Sequence, residues 1–144
     1  MQKSPLIKVK RLHPEAKLPY YDHPGDAGLA LHSVEGKVLA PGERYSFDTG
    51  VGMEFPEGFV GLIMDRSGLA SKHGIKTMGG VGDAGYRGSY HVIMVNLSGE
   101  SYEVQKGDKI AQMLIMPVAR VTVEEVTELS DTSRGAAGFG STGR

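Results

Sequence analysis

Gly79-Gly80-Val81-Gly82-Asp83-Ala84-Gly85-Tyr86-Arg87-Gly88 runs directly into Ser89-Tyr90-His91-Val92-Ile93-Met94-Val95-Asn96, and this passage decides the fold. It contains Gly80-Val81-Gly82-Asp83-Ala84-Gly85, a literal G-x-G-x-x-G. A dinucleotide-binding turn needs a strand before that motif and a helix after it. Here the run from Tyr90 to Asn96 is apolar and β-branched, so a strand follows. The dinucleotide reading would also put Asp83 inside an anion cradle. The passage therefore reads as a glycine-rich β-hairpin with an acid at its bend, in an all-β chain.

Working outward, Leu6-Ile7-Lys8-Val9-Lys10 and Tyr45-Ser46-Phe47-Asp48-Thr49 alternate as half-buried strands do. Gly58 to Met64 is more continuously apolar, like a strand covered on both faces. Ile110 to Val118 is apolar almost throughout and stops near Pro117. Arg120 to Val126 alternates and reads as a last strand. Pro14 and Pro19 rule out a long element between them and their neighbours. The one helix candidate is Ser67 to His73, about two turns. Short strands with Gly and Pro turns predict an all-β barrel or jelly roll. The chain divides into a β domain over 1–129 and a flexible glycine-rich arm over 130–144, where β-branched apolar residues vanish.

The 144 residues suffice for one domain with a core. Net charge is −1, so no global positive field draws the chain to nucleic acid or a membrane. With no cysteine there is no disulfide framework or thiolate chemistry. The five histidines show no H-x-H or H-E-x-x-H pairing, which leaves no expected zinc site. Met1-Gln2-Lys3-Ser4-Pro5 does not open a signal peptide, and no apolar run is long enough to span a bilayer. The expected location is the cytoplasm.

Three segments carry candidate chemistry. Asp83 is either an Asx-turn residue or a general base set to deprotonate a water. Asp65-Arg66-Ser67-Gly68-Leu69-Ala70-Ser71 opens the short helix, and Ser67 either caps it or donates its hydroxyl to a phosphate. Arg134-Gly135-Ala136-Ala137-Gly138-Phe139-Gly140-Ser141-Thr142-Gly143-Arg144 combines four glycines, two arginines, adjacent hydroxyls and one aromatic. Glycine backbone can approach a ligand closely, and arginine and hydroxyls donate to phosphate oxygens. This tail reads either as an arm closing over a phosphorylated aromatic ligand or as a solubilising terminus. It is not a Walker A loop, because Arg144 stands for lysine and no helix can follow. No G-x-S-x-G elbow is present.

Taken together, five segments resemble the five ordered motifs of the trimeric dUTPase family. They are Asp26 to Leu31, Asp65 to Ala70, Gly80 to Gly88, Lys106 to Gln112 and Arg134 to Gly143. The resemblance implies a jelly-roll-like β subunit in a homotrimer, with active sites shared between chains. It implies hydrolysis of dUTP to dUMP and pyrophosphate, with Mg²⁺ on the triphosphate and no protein side chain binding the metal directly. Asp83 would match the family's base and Tyr86 would pack under the deoxyribose. The backbone of Gly80, Val81 and Gly82 would read the uracil edge, with His91 nearby. Arg66, Ser67 and Gly68 would hold the phosphate chain, and Gln112 would contact the α-phosphate region. Phe139 would close over the uracil and Arg134 would reach the γ-phosphate, with Gly140, Ser141 and Thr142 adding donors.

The chain departs from that pattern in places. Ala30 stands where motif one usually carries an acid that acts on Mg²⁺ through water, and Asp26 is not expected to replace it. Gly82 stands where the family favours a large aliphatic residue, which implies a looser hairpin. A dCTP deaminase shares the fold, but it resembles its relatives in having a catalytic glutamate at about Ile93, and Val92 to Val95 holds no acid. The alternative to an enzyme is a dUTPase-like nucleotide-binding or regulatory protein with weak or no catalysis, for which Ala30 speaks.

Overall fold

The computed structural model describes residues 3–144; Met1 and Gln2, where the reading of the N-terminus begins, lie outside the described residues. In chain order the elements are β1 (Lys8–Arg11), β2 (Leu29–His32), β3 (Lys37–Leu39), β4 (Arg44–Asp48), β5 (Val51–Glu54), β6 (Phe59–Met64), α1 (Ser67–His73), β7 (Ile75–Met78), β8 (Val81–Gly82), β9 (His91–Asn96), β10 (Tyr102–Val104) and β11 (Lys109–Pro117). The expected all-β architecture with one short helix is what forms. No described helix is long and apolar enough to cross a membrane.

The strands pair antiparallel in two larger sheets, β2-β11-β6-β8 and β4-β9-β7, and two ribbons, β1-β5 and β10-β3. Period-two alternation drives this packing. On β9, Val92, Met94 and Asn96 are buried while His91 and Ile93 are exposed. Phe47 of β4, Leu31 of β2, Ile110 and Met113 of β11, Leu39 of β3 and Val104 of β10 meet Val92 and Met94 in one buried cluster. The polar member at its edge, Asn96, is satisfied: its Nδ2 donates to Leu39 O at 3.0 Å and to Glu100 O at 2.7 Å.

Two sequence expectations are corrected. The hairpin at the decisive passage has wider arms than expected, since β9 pairs with β7, from Ile75 opposite Asn96 to Met78 opposite Ile93. The glycine-rich segment between them is an excursion whose Val81 and Gly82 pair with β6 of the other sheet. Gly80 makes that crossing possible: its φ is +104°, and a Cβ there would come 2.7 Å from Ile63 O. Arg120 to Val126 forms no strand. The stretch follows β11 with no strand beside it among the described residues, and Val121 and Val123 are more than three-quarters exposed. An alternating pattern gives a strand only where a partner accepts its hydrogen bonds.

The helix spans the expected residues, but Ser67 does not cap it. Arg66 is the N-cap, in extended conformation and without a side-chain capping bond, which leaves the Ser67 side chain in the first turn. Gly74 ends the helix at φ 64°, its N–H reaching Ala70 O, and Lys72 and His73 lie in the last turn where the helix dipole favours positive charge.

Candidate active site

The residues singled out in the sequence gather in two clefts and one free segment. The first cleft, about 230 Å³, lies where the β7–β9 excursion crosses β6. Gly80, Val81, Gly82, Asp83, Tyr86 and His91 line it together with Ile63, Ser89 and Tyr90. Asp83 closes the excursion's turn, its carbonyl accepting from Tyr86 N at 3.1 Å, while its side chain is exposed. No side-chain hydrogen bond of the Asx-turn kind engages that carboxylate among the described residues, so it faces the cleft unoccupied by its own backbone. Arg87 pins the same turn from behind: its Nη1 donates to Ala84 O at 2.6 Å and its Nη2 to Glu54 Oε1 at 3.2 Å. Tyr86 donates its hydroxyl to Ser89 O at 3.0 Å, which fixes the ring at the cleft wall.

The opposite wall is a polar relay. His91 Nδ1 lies 3.3 Å from Ser46 Oγ, and its Nε2 lies 3.7 Å from Asp48 Oδ1. Asp48 Oδ1 also accepts from the Ser89 hydroxyl and from Gly50 N at 2.8 Å. Burial alone would raise the Asp48 pKa, but these hydrogen bonds and the nearby His91 hold it below the ordinary carboxylate value. The looser hairpin implied by Gly82 is not found. A Cβ at Gly82 would come 2.9 Å from Tyr90 Cε1, so the tyrosine ring fills the space that glycine leaves.

The second cleft, about 340 Å³, lies between α1, β2 and β11. Arg66, Ser67, Gly68 and Gln112 line it, as does Ala30. Arg66 is held at one nitrogen, Nη1 donating to Lys109 O at 3.1 Å, which leaves its other donors for a ligand. Gln112 Nε2 donates to Asp65 O at 2.9 Å. Gly28 makes room for that side chain, since a Cβ there would come 2.2 Å from Gln112 Oε1. Asp22, Asp26, Lys72 and His73 also line this cleft and were not singled out in the sequence as ligand residues. Asp26 opens the segment that resembles motif one; nothing local marks Asp22, Lys72 or His73, which come from a turn and a helix end that only the fold brings together. Asp22 is ion-paired with Lys109, which lowers the Asp22 pKa and raises that of Lys109. Asp26 Oδ2 accepts from His23 N at 2.9 Å.

Arg134, Phe139, Gly140, Ser141 and Thr142 line neither cleft. The arm's hydrogen bonds are internal: Ala137 N to Arg134 O at 3.2 Å, Arg134 Nε to Ala137 O at 2.8 Å and Gly143 N to Gly140 O at 2.9 Å. Phe139 is fully exposed and holds a φ of 50°, a conformation that costs energy for a non-glycine residue.

An acid in a glycine-lined cleft, and a second cleft on the same chain that offers Arg66, Lys72 and the Ser67 hydroxyl as donors, suit a ligand with a neutral ring and a phosphate chain. The comparison with known proteins agrees. A family model described as dUTPase matches residues 14–143. The chain belongs to the dUTPase family. The deoxyuridine 5'-triphosphate nucleotidohydrolase of Clostridium kluyveri is 50% identical over 139 residues, covering 95% of this chain and 97% of that protein. The dUTPase of Staphylococcus bacteriophage 80alpha, solved with dUpNHpp, superposes with a TM-score of 0.91 at 32% identity, covering 96% of this chain and 99% of the other. A point mutant of the phage phi11 dUTPase of S. aureus, solved for the coordination of a structural Mg(II) ion, gives a TM-score of 0.82 at 30% identity over 88% of this chain and 99% of the other. The dUTPase assignment makes the chain by family a hydrolase of nucleotide metabolism.

Proposed function

We propose that this dUTPase-family chain hydrolyses dUTP to dUMP and pyrophosphate as a homotrimer with shared active sites. Such a reaction keeps uracil out of DNA and supplies dUMP for thymidylate synthesis. The observation that carries the reading is the partition of the site residues. One chain offers a nucleoside-sized cleft with Asp83, a separate phosphate-binding cleft with Arg66, Ser67 and Gln112, and an arm that touches neither. A complete site then draws on more than one subunit. Met78 and Ile93, register partners on β7 and β9, are both exposed apolar side chains of the kind an interface covers.

In the proposed reaction Asp83 takes a proton from a water as its oxygen attacks the α-phosphorus. The bond from that phosphorus to the α–β bridging oxygen breaks, and pyrophosphate leaves with the bridging oxygen. The glycine backbone of Gly80, Val81 and Gly82 approaches the base edge, with His91 beside it. Tyr86 packs under the sugar and leaves no room for a 2′-hydroxyl. Arg66, Ser67, Gly68 and Gln112 hold the phosphates in line, and positioning supplies most of the rate in such transfers. The arm folds over the loaded site, placing Phe139 on the base and Arg134, Gly140, Ser141 and Thr142 on the phosphate chain, which excludes water.

The donor set suits Mg²⁺ carried by the substrate. Among the described residues no group of three His, Asp or Glu could cage a metal, and Mg²⁺ commonly keeps its waters and binds substrate phosphates with one or two carboxylates. Asp26, which the sequence did not put forward as a replacement for the motif-one acid, lines the same cleft as Ala30 and could act on the ion through water. It precedes β2 and sits in a turn rather than on the strand, so strand alternation does not govern its direction. Bound Mg²⁺ would neutralise phosphate charge.

The test is pyrophosphate release from dUTP, UTP, dTTP and dCTP across a Mg²⁺ series. Turnover of dUTP alone supports the enzyme. Tight dUTP binding without turnover at any Mg²⁺ concentration would instead support the binding or regulatory reading, which the absence of a carboxylate at Ala30 favours.

A further inference from the structure

The floor of the Asp83 cleft is a tyrosine that the steps above do not use. Tyr90 is 4% exposed, and its hydroxyl is buried with no hydrogen-bond partner among the described residues. Its backbone is fixed on both sides. Tyr90 N donates to Val51 O at 2.9 Å, and Tyr90 O accepts from Thr49 N at 3.0 Å and from Thr49 Oγ1 at 2.7 Å. From that anchor the ring reaches under the strand end that carries Asp83. The missing Cβ of Gly82 would stand 2.9 Å from its Cε1 and 3.3 Å from its hydroxyl. The Tyr86 ring meets it edge-on, 5.3 Å between centroids at 90°.

We propose that Tyr90 is a positioning residue for the reaction: its ring fills the space left by Gly82 and sets the height of Asp83 over the substrate. The inference rests on the reading of Asp83 as the base. β8 is two residues long and is held to β6 by Gly61 opposite Gly82 and Leu62 opposite Val81. So short a strand has little stability of its own. Packing from below must therefore supply the rigidity that a base needs to hold its distance to a water. The ring does this rather than the hydroxyl, because a buried hydroxyl without a partner is destabilising and phenylalanine would pack as well.

The experiment measures kcat and KM for dUTP, and binding of dUpNHpp, in Tyr90→Ala, Tyr90→Leu and Tyr90→Phe. Each is made in the natural chain and in Asp83→Asn. In the natural background Tyr90→Ala is expected to lower kcat at least tenfold while KM and analogue binding move less than threefold. Tyr90→Phe is expected to recover kcat to within twofold. In Asp83→Asn the same Tyr90→Ala change is expected to cost less than twofold, because the group it positions has gone. Equal losses in both backgrounds overturn the inference, as does a Tyr90→Ala enzyme with natural kcat. If Tyr90→Ala does not fold, Tyr90→Leu carries the same comparison. A natural chain that does not turn over dUTP, or an Asp83→Asn chain as fast as the natural one, overturns the underlying reading of the site instead.

Discussion

Gln112 reaches the cleft beside α1 only because residue 28 has no side chain; a Cβ there would lie 2.2 Å from Gln112 Oε1 and 2.8 Å from its Cβ. Overpacking of this kind costs about 1–3 kcal/mol. Gly28→Ala is therefore expected to lower Tm by roughly 3–10 °C and to reduce kcat/KM for dUTP, read by thermal melts and steady-state kinetics. An unchanged kcat/KM would remove Gln112 from the site. Asp83→Asn keeps the shape of the side chain and removes its basicity, so kcat is expected to fall by about 10²–10⁴-fold with dUpNHpp binding retained. Ala30→Asp returns a carboxylate to the helix cleft. The Mg²⁺ concentration at half-maximal rate is then expected to fall several-fold, and no change would show that Ala30 has no bearing on the metal. Asp83, Tyr86, Arg66 and Ser67 were legible as candidates because acids, glycines and hydroxyls stood in recognisable order. Tyr90 was not. In the sequence it is the first apolar residue of a strand, and only the fold turns its ring under Gly82.

At the scale of elements, one carboxylate ties the helix cleft to the β4-β9-β7 sheet. Asp65 Oδ1 accepts from Thr77 N at 2.6 Å, and its Oδ2 is paired with Lys76. Burial would raise its pKa, but the bonds from Lys76 and Thr77 leave it lowered. A lowered folded-state pKa means that the unfolded chain binds the proton more readily. The stabilisation is thus present above the unfolded value of about 3.9 and is lost as pH falls through the folded value. Asp48 has the same sign. Tm is expected to hold down to about pH 4 and to drop below it, with a shallower acid limb in Asp65→Asn; an acid limb of natural slope in that variant would contradict the assignment. The longer strands, β4, β6, β9 and β11, were legible because four or more apolar or alternating residues repeat between turn signals. The short ones, β3, β8 and β10, are two or three residues long and carry no period of their own. Arg120 to Val126 failed in the other direction, with a strand's alternation and no partner strand among the described residues.

For the whole molecule, the arm is the decisive segment. Chains ending at Leu129 are expected to keep the fold and Tm, because the arm's hydrogen bonds are its own, and to lose dUTP turnover. Mixing those chains with Asp83→Asn chains separates shared from self-contained sites. If base and arm come from different subunits, random mixed trimers regain about a quarter of the natural rate; if each site is built within one chain, none returns. The sequence by itself determined the all-β class, the helix from Ser67 to His73, and the residue types proposed for the base, the phosphate ligands and the closing arm. These follow from local pattern, where spacing and side-chain chemistry suffice. The tertiary structure alone decided that the passage from Gly79 to Gly88 crosses between sheets instead of closing a simple hairpin. It also decided that Asp26 shares a cleft with Ala30 and that the Tyr90 ring fills the space beside Gly82. Contacts such as these join residues far apart in the chain or on different elements, and they are set by which strands find hydrogen-bond partners and which side chains fill the space between them.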